Sequence, residues 1–173
     1  GNAEPTAIGA VVDLAGELAE HLLDPADVAA EIDRVVDAID ATPLGPRSRG
    51  LPPELATMRT TLRARRALLP IVEQFAALKR SRDAMDFADH VAIAARLALG
   101  FPDIGAGERA RFRVVLLDEF QDTSEAQLLL LRALFATGGG AVPVTAVGDP
   151  HQSIYGWRGA SATTLTRFPA EFA

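Results

Sequence analysis

The sequence of 173 residues has no cysteine, and it has only one lysine, one tyrosine and one tryptophan. Without cysteine, disulfides, thiolate zinc sites and cysteine nucleophiles are all excluded. The lysine, Lys79, lies in ALKRS rather than behind a glycine-rich turn, so this sequence contains no GxxxxGK(S/T) phosphate-binding loop. No apolar run reaches the length of a membrane span, and the N-terminus lacks the basic start and apolar core of a signal peptide. We therefore expect a cytoplasmic protein without a membrane partner.

The net charge of −6 hides a gradient along the chain. Residues 1–50 carry three arginines against ten acidic residues, whereas residues 51–113 carry eleven basic residues against seven acidic ones. Residues 114–173 carry three basic residues against six acidic ones. The basic middle is compatible with a strip that faces a polyanion, and equally with a solvated helix face.

Apolar residues recur at helical spacing through most of the first half. Asp24 is a typical N-cap because Pro25 follows it at the first helical position, and this predicts a helix that continues to Ile39. An apolar stripe from Ile8 to Leu22 predicts another helix before it.

A stretch rich in Pro, Gly and Arg, residues 42–53, predicts a surface loop. The pattern after it predicts a basic helix that Pro70 should kink or divide. A further helix is expected over residues 83–99, where FPDIGAG would end it with proline and glycine.

From residue 114 the pattern changes to that of strands. VVLL (114–117) and AVPVTAV (141–147) are short apolar runs typical of strands that are covered on both faces. Between them lies a helical pattern, with Thr123 or Ser124 as N-cap and glycines 138–140 at its end. This order predicts two parallel strands whose C-terminal ends share the sheet edge where ligands bind in open α/β folds. Because two such apolar strands need further neighbours, we expect a fragment of a larger α/β protein.

Acidic residues follow the first predicted strand, in LLDEFQDTSEAQ. Asp118 and Glu119 would point to opposite sides of an extended backbone, so that one could hold a hydrated Mg²⁺ and the other accept a proton from attacking water. The alternative is structural. Asp118, Glu119 and Asp122 would then stabilise the N-terminus of the helix at residue 124 through its dipole.

The second predicted strand is followed by Gly148-Asp149-Pro150 and then by HQSIYGWRGA. A tyrosine, a tryptophan and an arginine in one loop are the components of a single-strand binding platform, because bases stack on rings and phosphates attract arginine. Alternatively, Tyr155 and Trp157 anchor the loop to the core. Neither His151 nor the two other histidines have metal-ligand partners in the sequence pattern, so we predict no histidine metal site.

Two of these stretches resemble one known family. FRVVLLDEFQDTSEAQ resembles the Walker B segment, motif II, of the UvrD/Rep/PcrA helicases and their RecB-like relatives in helicase superfamily 1. AVGDPHQSIYGWRGAS resembles motif III of the same family, at the expected separation. MDFADHV is similar to the family's LDFDDLL element, although Ala88 replaces an acid and His90 a leucine. The resemblance covers residues 85–161.

The resemblance implies an α/β fold. Residues 83–173 would be part of the RecA-like (P-loop NTPase) parallel sheet of motor domain 1A, and residues 1–82 a mainly helical 1B-type subdomain. The implied activity is ATP-dependent 3′–5′ translocation on single-stranded DNA with unwinding of duplex DNA. The family's phosphate loop, glutamine motif and second motor domain have no counterpart in this sequence. We therefore expect an internal fragment that depends on the remainder of the helicase chain and has no ATPase activity alone.

The same resemblance implies roles for individual residues, with ATP and Mg²⁺ as cofactors. Asp118 would bind the Mg²⁺ of MgATP, and Glu119 would be the base that activates water. Gln152 would sense the γ-phosphate. The side chains that would contact single-stranded DNA are Tyr155, Trp157 and Arg158. Whether the arginine-rich stretch from Arg59 to Arg82 contacts duplex DNA, as the helical insertion of some family members does, stays open.

A rival interpretation is a non-catalytic DNA- or protein-binding module with a degenerate helicase fold. The presence of Asp118, Glu119, Gln152 and Trp157 favours the motor. A Mg²⁺-dependent hydrolase that uses the acidic cluster alone is disfavoured, because nothing else in the sequence predicts a pocket. Repair, replication and recombination helicases share these motifs, so the pathway stays open.

Overall fold

The computed structural model describes residues 3–43, 50–137, 142–153 and 164–172. Over those ranges the chain forms seven α-helices and a small parallel sheet of two strands, which is consistent with the predicted α/β class. The helices are α1 Ala3–Glu20, α2 Pro25–Asp40, α3 Pro53–Ser81, α4 Phe87–Gly100, α5 Pro102–Arg111, α6 Glu125–Phe135 and α7 Thr164–Phe172. The strands are β1 Val115–Leu117 and β2 Val144–Ala146, and each is followed by a short 3-10 turn, Phe120–Asp122 and Pro150–Gln152.

The chain divides into two compact units. Residues 1–15 and 23–84 belong to the first, and residues 16–22 and 85–173 to the second. The first unit therefore contains α2 and α3, and the second contains α4 to α7 with both strands.

Helix α2 begins where the sequence predicts it. The side chain of Asp24 accepts a hydrogen bond from the backbone N–H of Ala26 at 2.8 Å, and Pro25 takes the first helical position. The apolar face of α2 is buried and packs along α3. Its buried residues are Ile32, Val36 and Ile39. The predicted start and the predicted apolar face are both confirmed.

Helix α1 has a shorter apolar face than the sequence predicts. Its buried apolar residues are Val11, Leu14 and Leu18. Ile8 is 65% exposed, and Leu22 lies beyond the end of the helix with a positive φ of 54°. The stripe therefore covers only the middle and the last turns of α1.

Helix α3 runs without a break through Pro70, so of the kink or division predicted there the division is wrong. A proline removes a single i→i−4 hydrogen-bond donor. Pro70 is exposed, so water can bind the carbonyl that this donor would have served. Its neighbours Leu69 and Val72 are buried, which holds the helix in place on both sides of the proline.

Helix α5 occupies a stretch in which the sequence predicts only the end of a helix. Helix α4 does end at Gly100, but Pro102 then takes the first position of α5, where a missing N–H costs nothing. Gly105 is buried where α5 packs against α6, and a Cβ at this position would lie 2.5 Å from the carbonyl oxygen of Ala133. Gly105 therefore allows α5 and α6 to approach closely, and it does not end a helix.

The strand, helix, strand order is confirmed. Strands β1 and β2 are parallel, with Val115 opposite Val144 and Leu117 opposite Ala146. Helix α6 lies between them and has Ser124, one of the two predicted N-caps, as its N-cap. The side chain of Ser124 accepts a hydrogen bond from the backbone N–H of Gln127, whose own side chain accepts one from the N–H of Ser124.

The prediction that both strands are covered on both faces is wrong for the described residues. Leu116, at the centre of β1, is 75% exposed, and its partner Thr145 is exposed as well. Only the alternate side chains are partly buried. A strand is buried on both faces only when packed layers cover each of them, and within the described ranges the sheet has two strands with one face uncovered.

Candidate functional site

The segments that follow the two strands lie side by side. Beyond β1 and β2, the backbone N–H of Val147 donates to the carbonyl of Leu117 at 2.8 Å. One step further, the N–H of Phe120 donates to the carbonyl of Val147 at 3.0 Å. The acidic turn after β1 and the Gly148-Asp149 turn after β2 therefore share the edge of the sheet that the parallel topology predicts.

The backbone at the acidic turn differs from the prediction. Glu119 has a left-handed conformation, with φ of 52° and ψ of 37°, so the predicted extended backbone is wrong at Glu119. The left-handed residue turns the chain from β1 into the 3-10 turn Phe120–Asp122, and Asp118 Oδ1 accepts the N–H of Glu119 at 2.9 Å. Such a conformation in a residue other than glycine costs free energy and recurs at functional sites. Both carboxylates are exposed.

Gln121 is a residue that the sequence did not single out, and it joins the two turns. Its side chain is 1% exposed. Nε2 donates to Glu119 Oε2 at 2.7 Å, while Oε1 accepts the backbone N–H of Asp149 at 3.0 Å. The carbonyl of Gln121 also accepts the hydroxyl of Ser153 at 3.3 Å. A polar residue close to acidic ones is typical of a solvated turn. In the sequence, only the position of Gln121 between Glu119 and Asp122 could have drawn attention to it.

Gly148 makes this contact possible. A Cβ at Gly148 would meet Oε1 of Gln121, and it would lie 3.2 Å from the backbone nitrogens of Gln121 and Phe120. Any larger residue would therefore push the second turn away from the first.

Gln152 lies in the 3-10 turn Pro150–Gln152, and its side chain is exposed. Nε2 of Gln152 donates to Asp149 Oδ2 at 2.9 Å, while Asp149 Oδ1 accepts the backbone N–H of His151 at the same distance. These hydrogen bonds, that of His151 first, hold the pKa of Asp149 below its usual value. The structure thus brings Asp118, Glu119 and Gln152 to one edge of the sheet. Tyr155, Trp157 and Arg158 lie outside the described residues.

Helix α7 packs on the residue next to Gln121. The rings of Phe168 and Phe172 are stacked, with centroids 4.8 Å apart, and both meet the buried ring of Phe120 edge-on, at 5.4 and 6.2 Å. Edge-to-face pairs of this kind add to the free energy of burial. The 3-10 turn after β1 therefore contacts both the segment before residues 154–163 and the helix after them.

A charged network also ties α7 to the start of α6. Arg167 donates to both carboxylate oxygens of Glu125, at 2.8 and 3.1 Å, and to Glu171 at 2.8 Å. Glu171 forms a second ion pair with Arg132 at 2.8 Å. The hydrogen bond from Arg167 lowers the pKa of Glu125, and the two carboxylates raise the pKa of Arg167. A two-pronged pair of this geometry fixes orientation as well as distance.

An open cleft of about 480 Å³ lies beside the acidic turn, between α4, β1 and α6. Its lining includes three carboxylates and an apolar wall: Asp118, Glu119, Asp122, Val91, Leu116 and Leu130. Asp122 Oδ1 is buried without a hydrogen-bond partner among the described residues. Within those residues no three ligating side chains form a metal cluster. Mg²⁺ commonly binds one or two carboxylates and completes its shell with water or phosphate oxygens, so the exposed carboxylate of Asp118 fits such an ion.

Residues 16–173 match the family described as the UvrD/REP helicase N-terminal domain. The chain belongs to this helicase family. Among relatives of the UvrD/REP-family chain, the ATP-dependent DNA helicase UvrD1 of Mycobacterium tuberculosis is 35% identical over 111 residues, and DNA helicase II of Rickettsia typhi is 34% identical over 123 residues. DNA helicase II of Escherichia coli is 43% identical over 88 residues.

These matches cover much of the UvrD/REP-family chain and little of its relatives. The match to UvrD1 of Mycobacterium tuberculosis spans 62% of this chain and 14% of the relative. The match to the Rickettsia typhi helicase spans 71% of this chain and 18% of the relative. The match to the Escherichia coli helicase spans 51% of this chain and 12% of the relative. The matched part of the chain therefore corresponds to less than a fifth of each of these helicases. Among the described helices of this UvrD/REP-family chain, none combines the length and the apolar character that crossing a bilayer requires.

The arginine-rich helix α3 of this UvrD/REP-family chain is partly neutralised by α2. Arg59 and Arg63 both bind Asp40, at 2.7 and 2.6 Å, one to each carboxylate oxygen. Arg66 binds Asp33 at 3.1 Å. The hydrogen bond from Arg59 lowers the pKa of Asp40. The predicted basic strip is thus in part an ion-paired helix face.

Proposed function

We propose that the chain is part of the motor of a longer ATP-dependent DNA helicase that moves 3′ to 5′ along single-stranded DNA and unwinds duplex DNA. The names of its relatives, ATP-dependent DNA helicase UvrD1 and DNA helicase II, support this proposal. The observation that carries it is the side-by-side packing of the two turns that hold Glu119 and Gln152, joined through Gln121.

In this proposal residues 83–173 are part of a RecA-like motor domain 1A, and residues 1–82 form a 1B-type helical subdomain. The phosphate loop and the second motor domain would come from the remainder of the helicase chain. The extents of the matches support this interpretation, since the relatives are more than five times as long as the matched segments.

ATP with Mg²⁺ would supply a phosphoanhydride bond whose cleavage drives movement. Asp118 would hold the Mg²⁺, because its carboxylate is exposed at the edge of the sheet. Glu119 would accept the proton of the attacking water. Its Oε2 is bound to Gln121, so Oε1 would be the atom that receives the proton. Gln152 would contact the γ-phosphate from the neighbouring turn.

Tyr155, Trp157 and Arg158 would bind single-stranded DNA by stacking and by charge. Because Gln152 precedes Trp157 by five positions on one segment, a shift of Gln152 at the nucleotide would be transmitted directly to the DNA. The duplex would contact the arginines of α3 that Asp33 and Asp40 leave accessible.

The test is steady-state ATP hydrolysis by the longer protein, with and without single-stranded DNA. Wild type should hydrolyse ATP in a DNA-dependent manner, and Glu119→Gln should reduce kcat by roughly 100-fold or more, which is the scale of a general-base contribution. DNA binding should survive the substitution. Wild-type protein that binds DNA without any hydrolysis would reject the motor and favour the non-catalytic module.

A further inference from the structure

Gln121 connects the proposed base to the neighbouring turn through the two ends of one side-chain amide. We propose that Gln121 is a positioning residue. Its Nε2 fixes the carboxylate of Glu119, and its Oε1 fixes the turn that carries Asp149 and Gln152. The catalytic half of this inference, the positioning of Glu119, rests on the proposed function. The structural half, the hold on the turn that carries Asp149, does not.

The chemistry of the Gln121 amide fixes the direction of both hydrogen bonds. An amide nitrogen can only donate and an amide oxygen can only accept. Glu119 offers a carboxylate oxygen and Asp149 offers a backbone N–H, so both partners are matched in one orientation of the Gln121 side chain. The reversed amide would leave a buried N–H facing another N–H. The network therefore has a single satisfied arrangement.

The side chain of Gln121 is buried, whereas that of Glu119 is exposed. Gln121 is 1% exposed, so water does not compete for either end of its amide. Glu119, in contrast, is exposed and has several side-chain torsions to order. Among the described residues, the side chain that hydrogen-bonds the carboxylate of Glu119 is that of Gln121. Fixing Oε2 leaves Oε1 available and limits the directions in which it points, which is what a base in a fixed position requires.

The turn after β2 fits closely against Gln121 at Gly148. Gly148 leaves no room between its Cα and Oε1 of Gln121 for a side chain. The Gln121 carbonyl also accepts the hydroxyl of Ser153, so the turn from Gly148 to Ser153 is held at both its ends by one residue. A change in the position of Glu119 thus reaches Gln152 through one amide and the carboxylate of Asp149.

The structural half is tested on the 173-residue chain by hydrogen exchange of the backbone amides, measured by NMR. In Gln121→Leu the Asp149 N–H loses its acceptor, and its exchange should accelerate about fivefold or more. In Gln121→Glu an acceptor oxygen remains and protection of Asp149 should persist. The control is Gln74→Leu, the same change at an exposed position of α3. Equal exchange of Asp149 in wild type and Gln121→Leu would overturn the inference.

The catalytic half is tested in the longer protein. Gln121→Glu keeps the shape but removes the donor and places a second carboxylate against Glu119. The kcat for ATP should fall about tenfold or more, in line with the loss of an outer-shell partner, with KM for ATP unchanged. Because Gln121→Glu leaves the Asp149 N–H protected, a purely structural role of Gln121 would leave kcat unchanged.

The outcomes separate the two proposals. A wild-type protein that hydrolyses ATP, with a Gln121→Glu variant of equal kcat, would reject the positioning role and leave the motor intact. A wild-type protein without ATP hydrolysis would reject the motor and, with it, the catalytic half. In that case the structural half is still tested, by the hydrogen exchange of the Asp149 backbone amide.

Discussion

Phe168 packs edge-on against Phe120, with the ring centroids 5.4 Å apart and the ring planes at 84°. Phe120 precedes Gln121, whose amide holds Asp149. Two consecutive residues of the 3-10 turn after β1 therefore contact the described segments on either side of residues 154–163. The acidic turn contains the predicted catalytic residues, and it also holds the turn after β2 and helix α7 in place.

The buried ring of Phe120 should make a large contribution to the stability of the second unit. Phe120 is 1% exposed and contacts two further rings. We expect Phe120→Ala to lower the free energy of unfolding by about 3–5 kcal/mol in urea denaturation. The control is Phe87→Ala, since Phe87 is 92% exposed and its loss should change stability by less than about 0.5 kcal/mol. Equal effects of the two substitutions would contradict the packing described for Phe120.

Gly105 and Gly107 form a matched pair within α5. A Cβ at Gly105 would lie 2.5 Å from the Ala133 carbonyl, whereas a Cβ at Gly107 has nothing within 4 Å. Gly105→Ala should therefore destabilise by about 1–3 kcal/mol. Gly107→Ala should stabilise by about 0.5–1 kcal/mol, because alanine loses less conformational entropy in a helix. Thermal unfolding of both variants measures the contrast, and a stabilised Gly105→Ala would show that α5 does not approach α6 this closely.

The Glu125–Arg167 pair predicts a pH-dependent stability. Arg167 lowers the pKa of Glu125 in the folded chain, so the pair contributes stability above the unfolded pKa of about 4.3. That contribution is lost as pH falls through the lower folded pKa. Arg167→Met should thus be less stable than wild type at pH 7, and the difference should shrink towards pH 3.

The comparison for this pair is Arg34→Met, which removes the partner of Glu31. Both side chains of that pair are more than half exposed, at 68% and 60%, so solvent screens the interaction. Urea titrations at several pH values should show a smaller effect for Arg34→Met. A difference between wild type and Arg167→Met that grows towards pH 3 would contradict the assignment.

Asp40 should reduce the affinity of helix α3 for duplex DNA, because it binds Arg59 and Arg63. In Asp40→Asn both arginines become available to phosphates. Binding should tighten, and the slope of log K against log salt should steepen by about one unit for each additional phosphate that an arginine neutralises. Asp37→Asn removes the same charge from an exposed position of α2 and serves as the control. Fluorescence anisotropy over a salt series that finds the two variants alike would exclude this face as a duplex contact.

Local patterns predicted part of the fold. The start of α2 depends on Asp24 and Pro25, and the start of α6 on Ser124 and Gln127, so adjacent residues contain the information. The parallel pair follows from the order of the elements. Helix α5 was missed because proline and glycine usually end helices, whereas Gly105 is explained by a contact with α6 that lies far along the chain.

The candidate site shows the same limit. Asp118, Glu119 and Gln152 are in recognisable motifs and lie at one edge of the sheet, but their roles stay predictions. The left-handed backbone of Glu119 and the burial of Gln121 could not be read from the sequence. The buried amide of Gln121 contacts a turn 28 positions away, with Gly148 at the contact.

The central claim is that nucleotide and DNA are contacted by one short segment, so that hydrolysis and movement are coupled through it. The most direct measurement is the number of ATP molecules hydrolysed per base pair unwound by the longer protein, for wild type and for Gln152→Ala. We predict that Gln152→Ala consumes more ATP per base pair than wild type. An unchanged ratio in a variant that still hydrolyses ATP and unwinds DNA would contradict the account.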